Sequence, residues 1–309
     1  MITKISHLVI NVNTFYANFM KYTILNCADS QYPALLKETS DMPNKLYVRG
    51  DLNSGRPLVA VVGSRKPTPY GLQMTARIVQ ELVAAGIGIV SGLAYGVDKQ
   101  AHRSALDAGG YTVAVLGNAI DSIHPKPHKG IADEILEQGG AVISEYAPGT
   151  STQPFMFIER NRIIAGLCIG TVVIEAGPRS GSLTTAKRTL DANRSVMALP
   201  GPTTSELSSG TNALIRSGAV LVRHGFDVMD ELGIGYSKVS TSPKPAVGAL
   251  GGDTPEEKLI IKLIAQGIFD SQQLIERSKL PAAEFARIIT LMEISGKIRD
   301  SGNGTWTLR

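Results

Sequence analysis

LVAVVGSRKPTPYGLQMTARIVQELVAAGIGIVSG, residues 58–92, contains one complete repeat of an α/β fold. Residues 58–62 are continuously apolar, as expected of a strand covered by helices on both faces. A junction rich in Gly, Ser and Pro follows. From Tyr70 to Ala85, Leu72, Ala76, Val79 and Val83 recur at helical spacing, and Gly86 supplies a stop. A second apolar run, 86–90, comes next. Further apolar runs at 111–116, 141–145, 169–175, 195–200 and 219–222 alternate with helical patterns at 98–108, 129–138, 154–167, 182–192 and 211–217. The alternation predicts a doubly wound, mostly parallel α/β sheet over residues 58–232.

The flanks read differently. Residues 1–57 are weakly patterned and predict a lead-in segment with no compact domain. Residues 233–254, rich in Ser, Pro and Gly, predict a flexible linker. Residues 255–309 carry three helical patterns (254–266, 271–278 and 281–295), then two short extended runs around Ser301-Gly302-Asn303-Gly304. That is the outline of a small winged helix.

With 43% apolar and 19% charged residues among 309, the chain is neither disordered nor fibrous. No apolar run approaches the roughly 18 residues that span a bilayer, and the N-terminus lacks a signal-peptide pattern. Two cysteines, Cys27 and Cys168, make no disulfide framework. These features predict a soluble, cytoplasmic protein without membrane contact. The net charge is only +4, and residues 58–232 balance 15 basic against 15 acidic groups. A polyanion would therefore need a local site with clustered cations.

In an open parallel sheet such a site lies beyond the carboxyl ends of the strands. Three loops there are distinctive: Gly63-Ser64-Arg65, Ser91-Gly92-Leu93-Ala94-Tyr95-Gly96, and Gly177-Pro178-Arg179-Ser180-Gly181-Ser182. Small residues admit a phosphate to the backbone, hydroxyls add donors, and arginine grips bidentately. Neither a dinucleotide nor a P-loop fingerprint is present, so no cofactor is expected and the anion is a phosphodiester or a nucleotide. In Phe157-Ile158-Glu159-Arg160-Asn161-Arg162, helical geometry directs at most one arginine into the crevice, with Glu159 or Glu175 as an ion-pair partner for the other. Lys126, after the third strand, could reach the same edge. Asp98 and His102 at i, i+4 read as a surface helix pair. His124 and His128 lack a third metal ligand, and no catalytic constellation is predicted.

The motifs GSRKPTPYG, SGLAYGVDKQAH, ERNRIIAGL, EAGPRSGSLTTA, ALPG and GTNALIRSGA, in that order, closely resemble the DNA-processing protein A family (DprA, also called Smf). The likeness runs from about Tyr32 to Leu232 and continues more weakly into the winged helix. It implies an extended Rossmann-like domain in a non-enzymatic single-stranded DNA binder. Such a protein would form a homodimer, protect incoming strands in natural transformation and load the RecA recombinase. Carried over by position, the DNA-binding residues would be Gly63, Ser64, Arg65, Ser91, Gly92, Lys126, Phe157, Asn161, Ser180, Gly181 and Ser182. Arg162 and Arg179 are added as cations, and the homodimer surface would involve residues 211–222. Many members have Lys three residues before the Phe of an F-P-x-R-N-R run; here those places read Pro154 and Phe157-Ile158-Glu159. The helical module common at the family's N-terminus is missing or cut to a remnant in residues 1–30. On the helix over 281–295 Arg287 is the sole cation, which favours a protein-contact or weak DNA module over duplex readout. Two alternatives share the phosphate cradle: a phosphoribohydrolase of nucleoside monophosphates resembling the LOG family, and a nucleotide-sensing domain. The former needs a carboxylate where Thr184 and Thr185 stand.

Overall fold

The computed structural model describes residues 22–52, 55–235, 252–265, 268–300 and 304–308. They form two compact units, divided after position 236. Most of the expected linker, the first 21 residues of the expected N-terminal remnant, and Ser301–Asn303 of the hairpin turn lie outside the described residues.

The first unit is built on a nine-stranded sheet. Its strands are β1 (Thr23–Asn26), β2 (Lys45–Gly50), β3 (Leu58–Val62), β4 (Gly88–Ser91), β5 (Thr112–Leu116), β6 (Ala141–Ser144), β7 (Gly170–Val173), β8 (Ser195–Ala198) and β9 (Val220–Leu221). Their spatial order is β1-β2-β6-β5-β4-β3-β7-β8-β9. From β6 to β9 all neighbours are parallel, with Val59 opposite Gly88's strand on one side and Gly170 on the other. Each apolar run expected to be a strand is one. The chain winds outward from β3 through β4, β5 and β6, then returns to β3's other side as β7. The order thus reverses between β3 and β7, and a doubly wound sheet opens a crevice at that switch point.

Residues ahead of position 58 were expected to hold no compact domain; those described form no unit of their own but add two strands to the edge of the main sheet. β1 and β2 pair antiparallel, and β2 pairs antiparallel with β6, from Tyr47 opposite Ser144 to Gly50 opposite Ala141. Leu25, Leu46 and Val48 enter the core, and the short helix α1 (Ala34–Lys37) buries Leu36. The segment was illegible because β2 (KLYVRG) mixes charged and apolar residues, and its hydrophobic pattern is completed only by what it packs against.

Alternation along the strands sorts the core into two faces. Val59, Val61, Ile89 and Val172 pack against α2 (Pro69–Ala84), α3 (Val97–Asp107) and the later helix α9 (Gly225–Glu231), through Ile78, Leu82, Ala101 and Val228. Ala60, Val62, Val113 and Ile143 pack against α6 (Asn161–Leu167) and α7 (Gly181–Asp191), through Ile163, Leu167 and Ala186. Burying each valine, leucine or isoleucine among these contributes about 1.5–3 kcal/mol. The remaining helices are α4 (Lys129–Glu137), α5 (Met156–Glu159) and α8 (Glu206–Arg216). Two expectations change here. The single helix expected over 154–167 is α5 and α6, divided at Arg160, and α8 begins five residues before the expected 211, through Ser-Ser-Gly, a run that reads as loop in isolation.

The second unit contains α10 (Pro255–Ala265), α11 (Ser271–Ser278), α12 (Ala282–Ile294) and the antiparallel hairpin β10 (Ile298–Asp300)–β11 (Trp306–Leu308). This is the expected winged helix, with Ile260, Leu274, Phe285 and Met292 in its core. Asp270 caps α11, its Oδ1 accepting from the N–H groups of Gln272 and Gln273, each at 3.0 Å.

Candidate nucleic-acid interface

At the switch point the loops after β3, β4 and β7 and the start of α5 and α6 enclose a crevice of about 900 Å³. The β3 loop contributes Gly63, Ser64 and Arg65. Ser64 is buried, and its Oγ accepts from the N–H of Lys66 at 3.1 Å, closing the turn that leaves Arg65 exposed. The β7 loop contributes Gly177, Pro178 and Arg179, and Ser180 caps α7. The hydroxyls of Ser180 and Ser182 lie 2.7 Å apart at this helix N-terminus, where amide dipoles favour an anion. Asn161 donates from Nδ2 to the Gly181 carbonyl at 3.2 Å, tying the start of α6 to that of α7. Half-buried Phe157 lines the opening and packs against His124, ring centroids 5.2 Å apart.

The helix N-termini that follow the β3 and β7 loops differ. At α2, Glu175 accepts from the Thr68 N–H at 2.8 Å and from the Thr68 hydroxyl at 2.5 Å, so the chain's own carboxylate occupies the anion position. At α7 the cap is made by serine hydroxyls, and the neighbouring cation Arg179 is exposed. The end of α2 is thus already compensated, that of α7 is capped by hydroxyls alone, and the exposed acid Glu206 at the start of α8 also lines the crevice.

Beneath the crevice, Arg160 is almost fully buried and donates from Nη1 to the carbonyls of Gly92, at 2.7 Å, and Val115. Burial pulls its guanidinium down to about 10, against the attraction of Asp98 and with help from Arg65. Asp98 is buried too, its Oδ2 accepting from the N–H groups of Gly92 at 3.1 Å and Ala94 at 3.4 Å. Burial raises its carboxyl above the usual range although Arg160 and these donors oppose the shift. Only glycine fits at position 92, since a Cβ there would lie 2.3 Å from Arg160 Nη1. The crevice floor is thus a charge-compensated brace, while Arg65 and Arg179 stand exposed at its rim.

A family model described as DNA recombination-mediator protein A matches residues 23–233, and one described as DprA winged helix domain matches residues 243–304. The chain belongs to the DprA family. It is 36% identical over 289 residues to Protein Smf of Escherichia coli, covering 91% of this chain and 76% of that one. It is 44% identical to DNA processing protein DprA of Streptococcus pneumoniae, covering 69% and 75%. The solved structure of the pneumococcal protein superposes with a TM-score of 0.65 at 41% identity, over 74% of this chain and 80% of that one. A structure of DNA processing protein A from Helicobacter pylori, described for its single-stranded DNA binding mode, superposes with a TM-score of 0.63 at 30% identity, over 71% and 99%.

Of the residues expected from the DprA resemblance and the loop chemistry, Gly63, Ser64, Arg65, Phe157, Asn161, Arg179, Ser180, Gly181 and Ser182 line the crevice. Four expected residues do not. Ser91 is fully buried and donates to the Val61 carbonyl at 2.7 Å, and Gly92 serves the brace. Arg162 does not face the crevice: its Nη2 donates to both carboxylate oxygens of Glu145, at 2.6 and 2.7 Å. Of the partners expected for the second arginine, Glu159 lies at 3.9 Å from Arg162 Nε, and the closer carboxylate is the unexpected Glu145. Lys126 is exposed in a short 3-10 turn beside the crevice. The reading of Asp98 and His102 as a surface pair is also overturned, because both are buried and His102 Nδ1 meets the Thr112 hydroxyl at 2.8 Å. Sequence reasoning overlooked Asp98 and Glu175 as organising acids. Glu175 left a signal, a carboxylate closing an otherwise apolar strand run; Asp98 left none, since an acid in a helix's first turn is ordinary.

Proposed function

We propose that the chain binds single-stranded DNA in this crevice without sequence readout, and that it acts in DNA processing during natural transformation. The observation that carries the reading is the pair of exposed arginines, Arg65 and Arg179, beside the serine-capped end of α7, on a body whose charge is otherwise balanced. Phosphates are held by these cations and amides, while Phe157 offers a base its ring. The single-strand binding described for the Helicobacter relative supports the same use of the fold.

Protection of incoming strands, delivery of the strand to the RecA recombinase and assembly as a homodimer over residues 211–222 complete the proposal. These three rest on family membership. No bond making is required of the crevice: Thr185 lines it where a LOG-like phosphoribohydrolase needs a carboxylate, and incubation with nucleoside monophosphates should release no free base. The decisive test is a titration of single-stranded and duplex oligonucleotides at two salt concentrations, with oligomeric state followed in parallel. Tight, salt-sensitive binding of the single strand supports the reading. Equal or stronger duplex binding contradicts it.

A further inference from the structure

The β4 loop leads along the chain from the crevice to a second surface. Ala94 lines the crevice, and the next residue, Tyr95, is a large aromatic with half its surface exposed. Its ring is held edge-on against His128, centroids 4.9 Å apart at 71°. His128 is itself buried and donates from Nδ1 to the Leu93 carbonyl at 2.8 Å. Leu93, fully buried, adopts a left-handed backbone (φ 58°), a conformation that persists in a non-glycine residue only where its surroundings impose it. Tyr95 is therefore a preset platform, not a solvated side chain free to turn away.

A groove of about 540 Å³ is bordered by Lys99, Gln100, Arg103, Pro127, Gly130 and Glu134. The acids here have partners: Glu134 pairs with Arg103 at 2.9 Å, and Asp133 with Lys129 at 2.6 Å. Lys99 and Lys126 are exposed, and among the described residues neither has an ion-pair partner. The segments that border the crevice, Ala94 and the His124–Phe157 contact, run directly into those that border the groove, Lys99 and Pro127.

We propose that Tyr95 and Lys99 extend the single-stranded DNA site beyond the residues expected from the family, Lys126 among them: a base stacks on Tyr95, and Lys99 takes a phosphate of the strand as it leaves the crevice. Exposed aromatics alternating with cations are what a single strand requires, because every base has a face to stack and every linkage a charge. The proposal rests on the single-strand reading of the crevice.

The test measures binding of the full chain to oligothymidylates of about 4 and about 16 nucleotides, the span of single-strand site sizes. Tyr95→Ala should weaken the longer probe about tenfold, within the range for losing one stacked base, and leave the shorter unchanged. Tyr95→Phe should bind both as the parent does, since the ring is what stacks. Lys99→Ala should reduce the log–log salt slope by about 0.7 for the longer probe alone. If Tyr95→Ala and Lys99→Ala bind the longer probe like the parent while Arg65→Ala is impaired, the extension is overturned and the crevice stands. Equal losses on both probes in Tyr95→Ala mark a structural role and overturn it also. A parent protein that binds neither probe removes both readings.

Discussion

Arg65 and Arg160 show how residues of one type divide between function and framework. Arg160 spends its guanidinium on two carbonyls and on Asp98, whereas Arg65 stands exposed on the same crevice. Arg65→Ala should lower single-strand affinity by roughly 1 to 3 kcal/mol and flatten its salt dependence, as a binding isotherm at two salt concentrations would record. Unchanged affinity at low salt would remove Arg65 from the interface. His102 makes a prediction about acid. Burial first, then the nearby Arg160 and His128, lower its pKa to about 3, so the folded state holds it neutral while the unfolded chain protonates it below about 6.5. Its share of stability is present above that value and is lost as pH falls toward 3, at up to about 1.4 kcal/mol per pH unit. Asp98, with its pKa raised by burial, works in the opposite sense, because the folded state takes up that proton first. His102→Asn should therefore lose less stability than the parent between pH 6.5 and 4.5, as paired denaturant melts would show.

Among the elements, α2 depends most visibly on a distant part of the chain. Thr68 caps it locally, its Oγ1 accepting from the Gly71 N–H at 3.1 Å, but Glu175 from the end of β7 provides the negative charge. Glu175→Gln removes that charge from a helix N-terminus and weakens two hydrogen bonds; a loss of about 1–2 kcal/mol in thermal or urea unfolding is expected. Gly71→Ala should act in the same direction, since a Cβ there would lie 2.5 Å from Glu175 Oε2. Both substitutions leave α7 and its serine cap untouched. Single-strand affinity should fall much less than in Arg65→Ala, and a larger fall would show that α2 also contacts the strand.

For the whole molecule, the proposed single-strand site is built from residues of the first unit, and the winged helix is the second unit. On α12 the exposed positions include Leu291 and Ile294, and Arg287 is the helix's sole cation. A groove-reading helix needs cations to approach the phosphates, and this one presents apolar side chains instead. Arg287→Ala in the full chain should accordingly leave single-strand affinity within about twofold, the usual range for a surface change away from a site. A larger loss would place the second unit on the strand.

The apolar runs from β3 to β9 and the helices between them were legible because each satisfies its own periodicity: Val59 to Val62 read as a buried strand without help from the rest of the chain. The loops of the crevice were legible for a related reason, since Gly, Ser and Arg at the end of a parallel strand already specify a place to receive an anion. Tertiary structure decided what periodicity cannot encode. β1 and β2 are strands because β6 offers them an edge, and α8 runs back to Glu206 because a Ser-Ser-Gly stretch, weak as an isolated helix, is packed there. Above all, it chose among the charges. Arg162 went to Glu145, Arg160 to the floor and Glu175 to α2, while Arg65 and Arg179 stayed exposed. Which charge is neutralised depends on what lies within a few ångströms across the fold, and neighbours along the chain do not contain that distance.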